Sequence, residues 1–431
     1  MPANKRGITP PSQEKNLTGS PVSIQIAGST ESGGGTCLVV KDTNESVVID
    51  CGANPRELGE FRQRMAQAIL KARPNHVVIT HGHYDHMGSL PDTINYFERQ
   101  GIVFPPIVAT QTTYDLIRRQ LEKKNRCKLT HLTETGQIKM VENRHSIPGS
   151  AGILLNLRGN KTIFYTGDFH GFPSLDLPSV DLLIIDSTGA MRKEPRKDNE
   201  VLIRKNIVNL IEETLERNPR ASVYVALFST QLERAAYLEI EALRLTNFQA
   251  GIAGMSLWES LLAYRKDMAP ARSGRFTLVT GVWAQGEANW YGEDRSVLVK
   301  MSRKEYPNCK FKKGDLVILS GSIPTWSPSI ATNIFSMCKR ICDMGVRVVV
   351  DTSAPEIWAF SGIEKMAVHC GGHGNLPEIL SVVDAIRAKN PNVKVMPMHG
   401  SQQSLNEVAW NCIERDLDVI EASQGSIITV S

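Results

Sequence analysis

The 431-residue chain has no apolar run long enough to cross a bilayer, so no membrane-spanning helix is expected. It carries little net charge: 49 Lys and Arg stand against 45 Asp and Glu, which permits an anionic partner without demanding one. None of its 8 Cys falls in a CxxC pair. That excludes a zinc ribbon and gives no sign of a disulfide framework, so a reducing, cytoplasmic setting is expected. Cys338 and Cys342 sit four apart in an apolar helical pattern and read as core residues. Residues 1–20 lack an apolar h-region and are polar and broken by Pro and Gly; a disordered N-terminal tail is expected, not a signal peptide. His is scarce too, with 10 in the chain, so where His clusters is informative.

Three of those ten fall in residues 80–90, Thr-His-Gly-His-Tyr-Asp-His-Met-Gly-Ser-Leu. His81, His83, Asp85 and His86 lie within six residues and follow the apolar run Val77-Val78-Ile79. A strand ending in a tight turn would aim these side chains into one small volume. Imidazole nitrogen with carboxylate oxygen suits zinc, or a similar divalent ion such as manganese.

The length leaves room for two domains, or one large domain carrying an insertion. Short β-rich runs alternate with amphipathic helices, which marks an α/β protein. Strands are expected at Glu45–Asp50, Val77–Thr80, Ile107–Thr110 and Leu182–Asp186, with a hairpin pairing Gly152–Leu157 and Thr162–Thr166. After about residue 195 the rhythm is strictly αβ, with strands at Val223–Leu227, Phe276–Thr280, Leu316–Ser320, Val346–Val350, Met366–His369 and Val393–Met396.

Acidic or His residues follow several of these strands. Asp50 ends Glu-Ser-Val-Val-Ile-Asp, Asp168 closes Tyr-Thr-Gly-Asp, and Asp186 ends Leu-Leu-Ile-Ile-Asp. His145, His373 and His399 each sit in a Gly-rich turn. Ligands at strand ends converge on one edge of a sheet, where α/β proteins place their sites. His76, His131, His170 and His369 read as structural.

The series Asp50, His81-x-His83-x-Asp85-His86, His145, Asp168 and a late His resembles the metallo-β-lactamase fold, and so implies an αββα sandwich with a dinuclear metal site. The wide separation of Asp168 from His399 resembles the β-CASP nucleases, in which an inserted α/β cap interrupts that core. Their three further motifs correspond to Asp186, His373 and His399. The phrases His145-Ser-Ile-Pro-Gly-Ser-Ala-Gly, Thr280-Gly281 with Gln285-Gly286-Glu287, and Gly314-Asp315-Leu-Val-Ile-Leu-Ser are similar to the RNase J branch.

This resemblance implies four parts: a tail at 1–20, a first core part at 21–198, the β-CASP cap at 199–345, and a second core part at 346–431. It implies one metal on His81, His83 and His145, a second on Asp85, His86 and His399, and Asp168 bridging them. The two divalent ions, expected as Zn2+ with Mn2+ as the other candidate, would activate a hydroxide to hydrolyse RNA phosphodiester bonds by 5′-exo or endonucleolytic cleavage. Asp50 would act behind the ligands. His373, paired with Asp186, would serve as general acid or phosphate contact. Two other readings share the core: a DNA nuclease or small-molecule phosphodiesterase, and a non-catalytic nucleic-acid-binding scaffold. The expected partner is single-stranded RNA, with no membrane contact; a homodimer is the oligomer considered.

Three departures from the family pattern are visible. Asp186-Ser-Thr-Gly-Ala stands for Glu-Ser-Thr-Tyr-Gly. Gly371 replaces a Ser before Gly-His. Ile323-Pro-Thr-Trp-Ser replaces a Gly-Asn-rich linker. For the substrate grip, Ser229 and Thr230 precede a helix and are candidates for phosphate binding at its N-terminus, or an ordinary N-cap. Basic runs at 118–128 and 300–313, and Trp283, Trp290 and Tyr291, are further candidates for nucleic-acid contact.

Overall fold

The computed structural model describes residues 22–43, 45–54, 58–122, 129–194, 199–247, 249–253, 255–264, 275–280, 282, 297–302, 311–323 and 328–430. The expected tail, much of both basic runs, Gly281, Gln285–Glu287, Trp283, Trp290 and Tyr291 lie outside these residues.

Three sheets organise the chain. The first has seven strands in the order Ile427–Val430, Val22–Ile26, Leu38–Lys41, Ser46–Ile49, His76–Val78, Ile107–Val108 and His131–Leu132. Its first four strands pair antiparallel and the rest parallel. The second has five strands, Lys394–Met398, Leu182–Asp186, Thr162–Tyr165, Ala151–Asn156 and Ile138–Glu142. The hairpin expected from the sequence is here, with Asn156 opposite Thr162.

One apolar cluster joins these two sheets face to face: Ile24, Val40, Ile49 and Val78 from the first pack with Ile153, Tyr165, Ile184 and Met396 from the second. The outer face of the first sheet buries Val48 and Val77 against Phe61, Met65 and Ile94 of helices Leu58–Ala72 and Leu90–Arg99. The outer face of the second buries Phe164, Leu183 and Val395 against Ile379, Val383 and Val408 of helices Leu376–Arg387 and Gln402–Ile413. The layers are therefore αββα. Alternation of inward and outward side chains makes each strand serve two cores at once. Each fully buried Ile or Leu contributes about 1.5–3 kcal/mol relative to exposure.

The third sheet is wholly parallel: Gly251–Ala253, Phe276–Val279, Val223–Ala226, Leu316–Leu319, Arg347–Asp351 and Glu364–Met366. Helices cover both faces, with Ile203 and Ile207 on one side and Ile334 and Met337 on the other. That is why its strands read as unbroken apolar runs. Its last two strands lie beyond residue 345, where a return to the core was expected. Arg347–Asp351 pairs with Leu316–Leu319, not with a core strand.

Candidate metal centre

The C-terminal ends of strands from both core sheets meet along one edge. Ser46–Ile49 delivers Asp50, His76–Val78 leads to His81, and Lys394–Met398 ends before His399. Asp50 and His399 both take positive φ, +61° and +55°, rare for side-chain-bearing residues and retained here at the two turns that aim into the centre.

His81, His83, His145 and Asp168 offer ligand atoms in one group, and Asp85, His86 and His399 in an adjoining one. His83 Nδ1 lies 3.0 Å from both His81 Nε2 and His145 Nε2. Asp168 Oδ2 is 3.7 Å from His81, 3.9 Å from His145 and 3.3 Å from His86, so it stands between the groups. On the other side, His399 Nε2 is 3.3 Å from His86 Nε2 and 3.2 Å from Asp85 Oδ2.

Each imidazole is also held from behind. His86 Nδ1 donates to Asp50 Oδ2 at 2.7 Å, and His145 Nδ1 donates to the Gly372 carbonyl at 2.7 Å. The Thr80 hydroxyl, itself donating to Asp50, meets His81 Nδ1 at 3.0 Å. Ser146 Oγ meets His83 Nε2 at 3.4 Å, and Thr188 Oγ1 meets His399 Nδ1 at 2.9 Å. With one ring nitrogen occupied in this way, the other turns its lone pair to the centre, the arrangement that metal-binding His residues need.

The donor set fits a cation pair on two further grounds. A single ring nitrogen offers one proton or one lone pair, so His83 Nδ1 cannot satisfy both nitrogens beside it. Among the described residues the buried Asp168 Oδ1 has no hydrogen-bond partner, though it lies 3.3 Å from His399 Nδ1. Burial holds His81 and His145 well below the ordinary imidazole pKa and His83 down to about 4, leaving neutral rings. Burial opposes ionisation of Asp85 and Asp168 as well. Neighbouring imidazoles outweigh it, holding Asp85 well below the carboxylate range and Asp168 at about 2.

Beside the centre, His373 Nδ1 donates to Asp186 Oδ2 at 2.9 Å and lies 3.9 Å from Asp168. Asp186 is buried, and its Oδ1 is 3.5 Å from His399 Nδ1 and accepts from Thr188 N. It therefore touches both late His residues, not His373 alone. His373 opens on a cleft of about 840 Å³ between the core and the third sheet, lined also by His83, Thr230, His369 and Arg192.

All seven expected ligands are thus brought together, with Asp50, Asp186 and His373 around them. Ser229 and Thr230 are placed otherwise than expected. The helix Leu232–Thr246 has Gln231 at its N-cap, so the two hydroxyls stand in the turn before it. Thr230 lines the cleft; Ser229 is not among its lining residues. Of the remaining His, His131 stacks on Tyr114 at 3.9 Å and bonds the Ala109 carbonyl, as a structural residue does. His369, read as structural, does line the cleft, with its Nδ1 beside Gln231 Nε2. Thr80 and Thr188 were not singled out from sequence. Each lies two residues beyond a strand end, which is the one local signal they carry.

Residues 31–182 match the model of the metallo-beta-lactamase superfamily. The chain is 25% identical to "Ribonuclease J" of Corynebacterium glutamicum over 94% of its own length and 57% of that protein's. It is 24% identical to "Ribonuclease J" of Mycobacterium tuberculosis, over 90% of this chain and 70% of that one. It thus spans little more than half the length of the first of these relatives. A crystal structure of a protein of unknown function from Enterococcus faecalis V583 superimposes with a TM-score of 0.56 at 14% identity, covering 95% of this chain and 100% of that one, which supports the fold alone. The sandwich, the paired ligand groups and the match over residues 31–182 give the chain a metallo-β-lactamase-type fold with a centre suited to two metal ions. Over most of its length the chain is similar to these Ribonuclease J proteins.

Proposed function

We propose that the chain is a metal-dependent ribonuclease that hydrolyses phosphodiester bonds of single-stranded RNA in the cytoplasm, by 5′-exo or endonucleolytic cleavage. One observation carries this reading. Asp168 stands between two ligand groups, 3.7 Å from His81 and 3.3 Å from His86, and the His373–Asp186 pair stands beside them, with His373 lining a cleft of about 840 Å³.

His81, His83 and His145 would hold one divalent ion, Asp85, His86 and His399 the other, and Asp168 both. The nitrogen-rich set favours Zn2+, with Mn2+ as the alternative. Bound ions of this kind supply water acidified toward neutrality and screen charge building on phosphoryl oxygens. Asp50 fixes the His86 ring and Thr188 the His399 ring, so neither ligand must reorganise as charge develops. His373, its Nδ1 fixed by Asp186, presents its other nitrogen to the cleft and hands a proton to the departing ribose 3′-oxygen; imidazole is the usual donor for such a step. We also propose that the inserted unit runs from about residue 199 to the end of the third sheet at Met366.

The test is cleavage of end-labelled single-stranded RNA and matched DNA with Mn2+ or Zn2+, beside Asp85→Ala and His373→Ala. RNA cleavage by the wild type alone supports the reading. Cleavage of neither polymer ends it, and cleavage of DNA alone transfers the site to the other substrate.

A further inference from the structure

Among the described residues, two side chains lining the cleft beside His373 carry a permanent positive charge, Arg192 and Lys193. Lys193 Nζ is tied to Glu407 at 3.0 Å. Arg192 is tied to the site itself: its Nη2 donates to the carbonyl of His373 at 2.6 Å. The guanidinium therefore lies against the backbone of the residue that faces the cleaved bond. It reaches this place from the turn following Asp186, because Leu376 N donates to the Arg192 carbonyl and Arg192 N to that of Gly189.

Gly189 is what makes the placement physically allowed. A Cβ at this position would stand 1.8 Å from the Gly374 oxygen and 2.4 Å from Arg192 Nη2. Any side chain there would push away either the His373 loop or the guanidinium. The unusual Gly of Asp186-Ser-Thr-Gly and the Arg three residues later thus form one device: the missing side chain leaves the space that the Gly374 carbonyl and the guanidinium fill together. A guanidinium keeps its positive charge whatever it bonds, and its planar fork of N–H donors matches phosphate oxygens.

We propose that Arg192 is a strand-binding residue that contacts a backbone phosphate of the bound strand beside the cleaved linkage. This rests on the nuclease reading above. It sets how tightly the strand is held, while His373 and the metal ligands set how fast it is cut.

The test is a single-turnover titration of Mn2+-loaded protein against a 5′-labelled single-stranded RNA at several salt concentrations. Wild type is run beside Arg192→Met, Arg192→Lys and Lys193→Met. Arg192→Met is expected to raise the half-saturating protein concentration about tenfold and to leave the maximal rate within about threefold, as loss of a charged phosphate contact does. The slope of log affinity against log salt should shrink by about 0.7, one phosphate's share on a single strand. Arg192→Lys should restore the slope, and Lys193→Met should match wild type. Arg192→Met with unchanged affinity and slope overturns the proposal. So does a fall in maximal rate with affinity unmoved, which would make Arg192 a brace for the His373 loop only. If wild type leaves RNA uncut, the nuclease reading falls; the same intact strand then gives affinity and slope by fluorescence anisotropy, and the same two results decide for Arg192.

Discussion

The two α/β units of this molecule use the same structural edge for opposite ends. In the core, the C-terminal ends of the strands carry or lead to Asp50, His81, Asp168, Asp186 and His399, all buried and all turned on one another. In the inserted unit the corresponding edge carries Thr280, Ser320 and Asp351, also buried. Two of these serve the backbone: Asp351 Oδ1 accepts from His369 N at 3.0 Å, and Ser320 Oγ donates to the Val368 carbonyl at 2.6 Å. One edge gathers chemistry, and the other holds the segment that carries His373 back to it. A strand end is a place where side chains converge in either case; what it does depends on whether the groups there can bind an ion or only bond a peptide.

The sharpest way to break this comparison is to remove a shared ligand. Asp168→Ala should lower both bound-metal equivalents, measured by elemental analysis of dialysed protein, and reduce cleavage by more than about a thousandfold, because both ions lose their common anchor. Retention of two metals per chain would show that the two groups do not share this carboxylate. His373→Ala comes next. It should lower the single-turnover rate by about 10²–10⁴, the usual range for a lost general acid, with the metal content unaltered. A fall in metal content instead would move His373 among the ligands.

The core edge was largely legible in the sequence, and the inserted edge was not. His81, His83, Asp85 and His86 are close in the chain, and a short apolar strand before them fixes their direction. Asp50 and His399 directly follow a largely apolar strand, Asp186 ends one, and Asp168 follows one after Thr166-Gly167, a local pattern. The extent of the inserted sheet is not local. Arg347–Asp351 has the same unbroken apolar pattern whichever sheet it joins, and only its pairing with Leu316–Leu319 decides. The Thr188–His399 contact spans 211 positions and leaves no trace in either neighbourhood. Ser229 and Thr230 stand in the turn before the N-cap Gln231, a placement the sequence does not separate from an N-cap because the two share residue preferences.

The inserted edge gives smaller effects that test its positioning role. Asp351 is buried and accepts from Ser353 N and His369 N. Asp351→Ala leaves buried N–H groups without their acceptor and should cost about 1–3 kcal/mol in urea unfolding. It should also slow cleavage while leaving metal content intact, because the loop bearing Gly372 and His373 loses its anchor. Stability loss without any change in cleavage would separate the edge from the site.

The smallest effect concerns Glu200, which joins the first helix of the inserted unit to its second. Glu200 bonds Arg234 and Arg204, and Cys370 Sγ, just before the His373 loop, lies 3.3 Å from it. Burial would raise its carboxyl, but the two guanidinium groups bring it down to about 2 from an ordinary 4.5. A carboxyl lowered on folding adds stability in full above its unfolded value, and that stability fades as pH falls through the folded one. Glu200→Gln should therefore be less stable than wild type at pH 7 by about 1–2 kcal/mol, the scale of a charge-assisted hydrogen bond. The gap in urea midpoints should narrow at pH 3 and close near pH 2. A gap that stays constant between pH 7 and pH 2 would mean that the carboxylate charge contributes nothing, and that shape alone holds the two helices to the His373 loop.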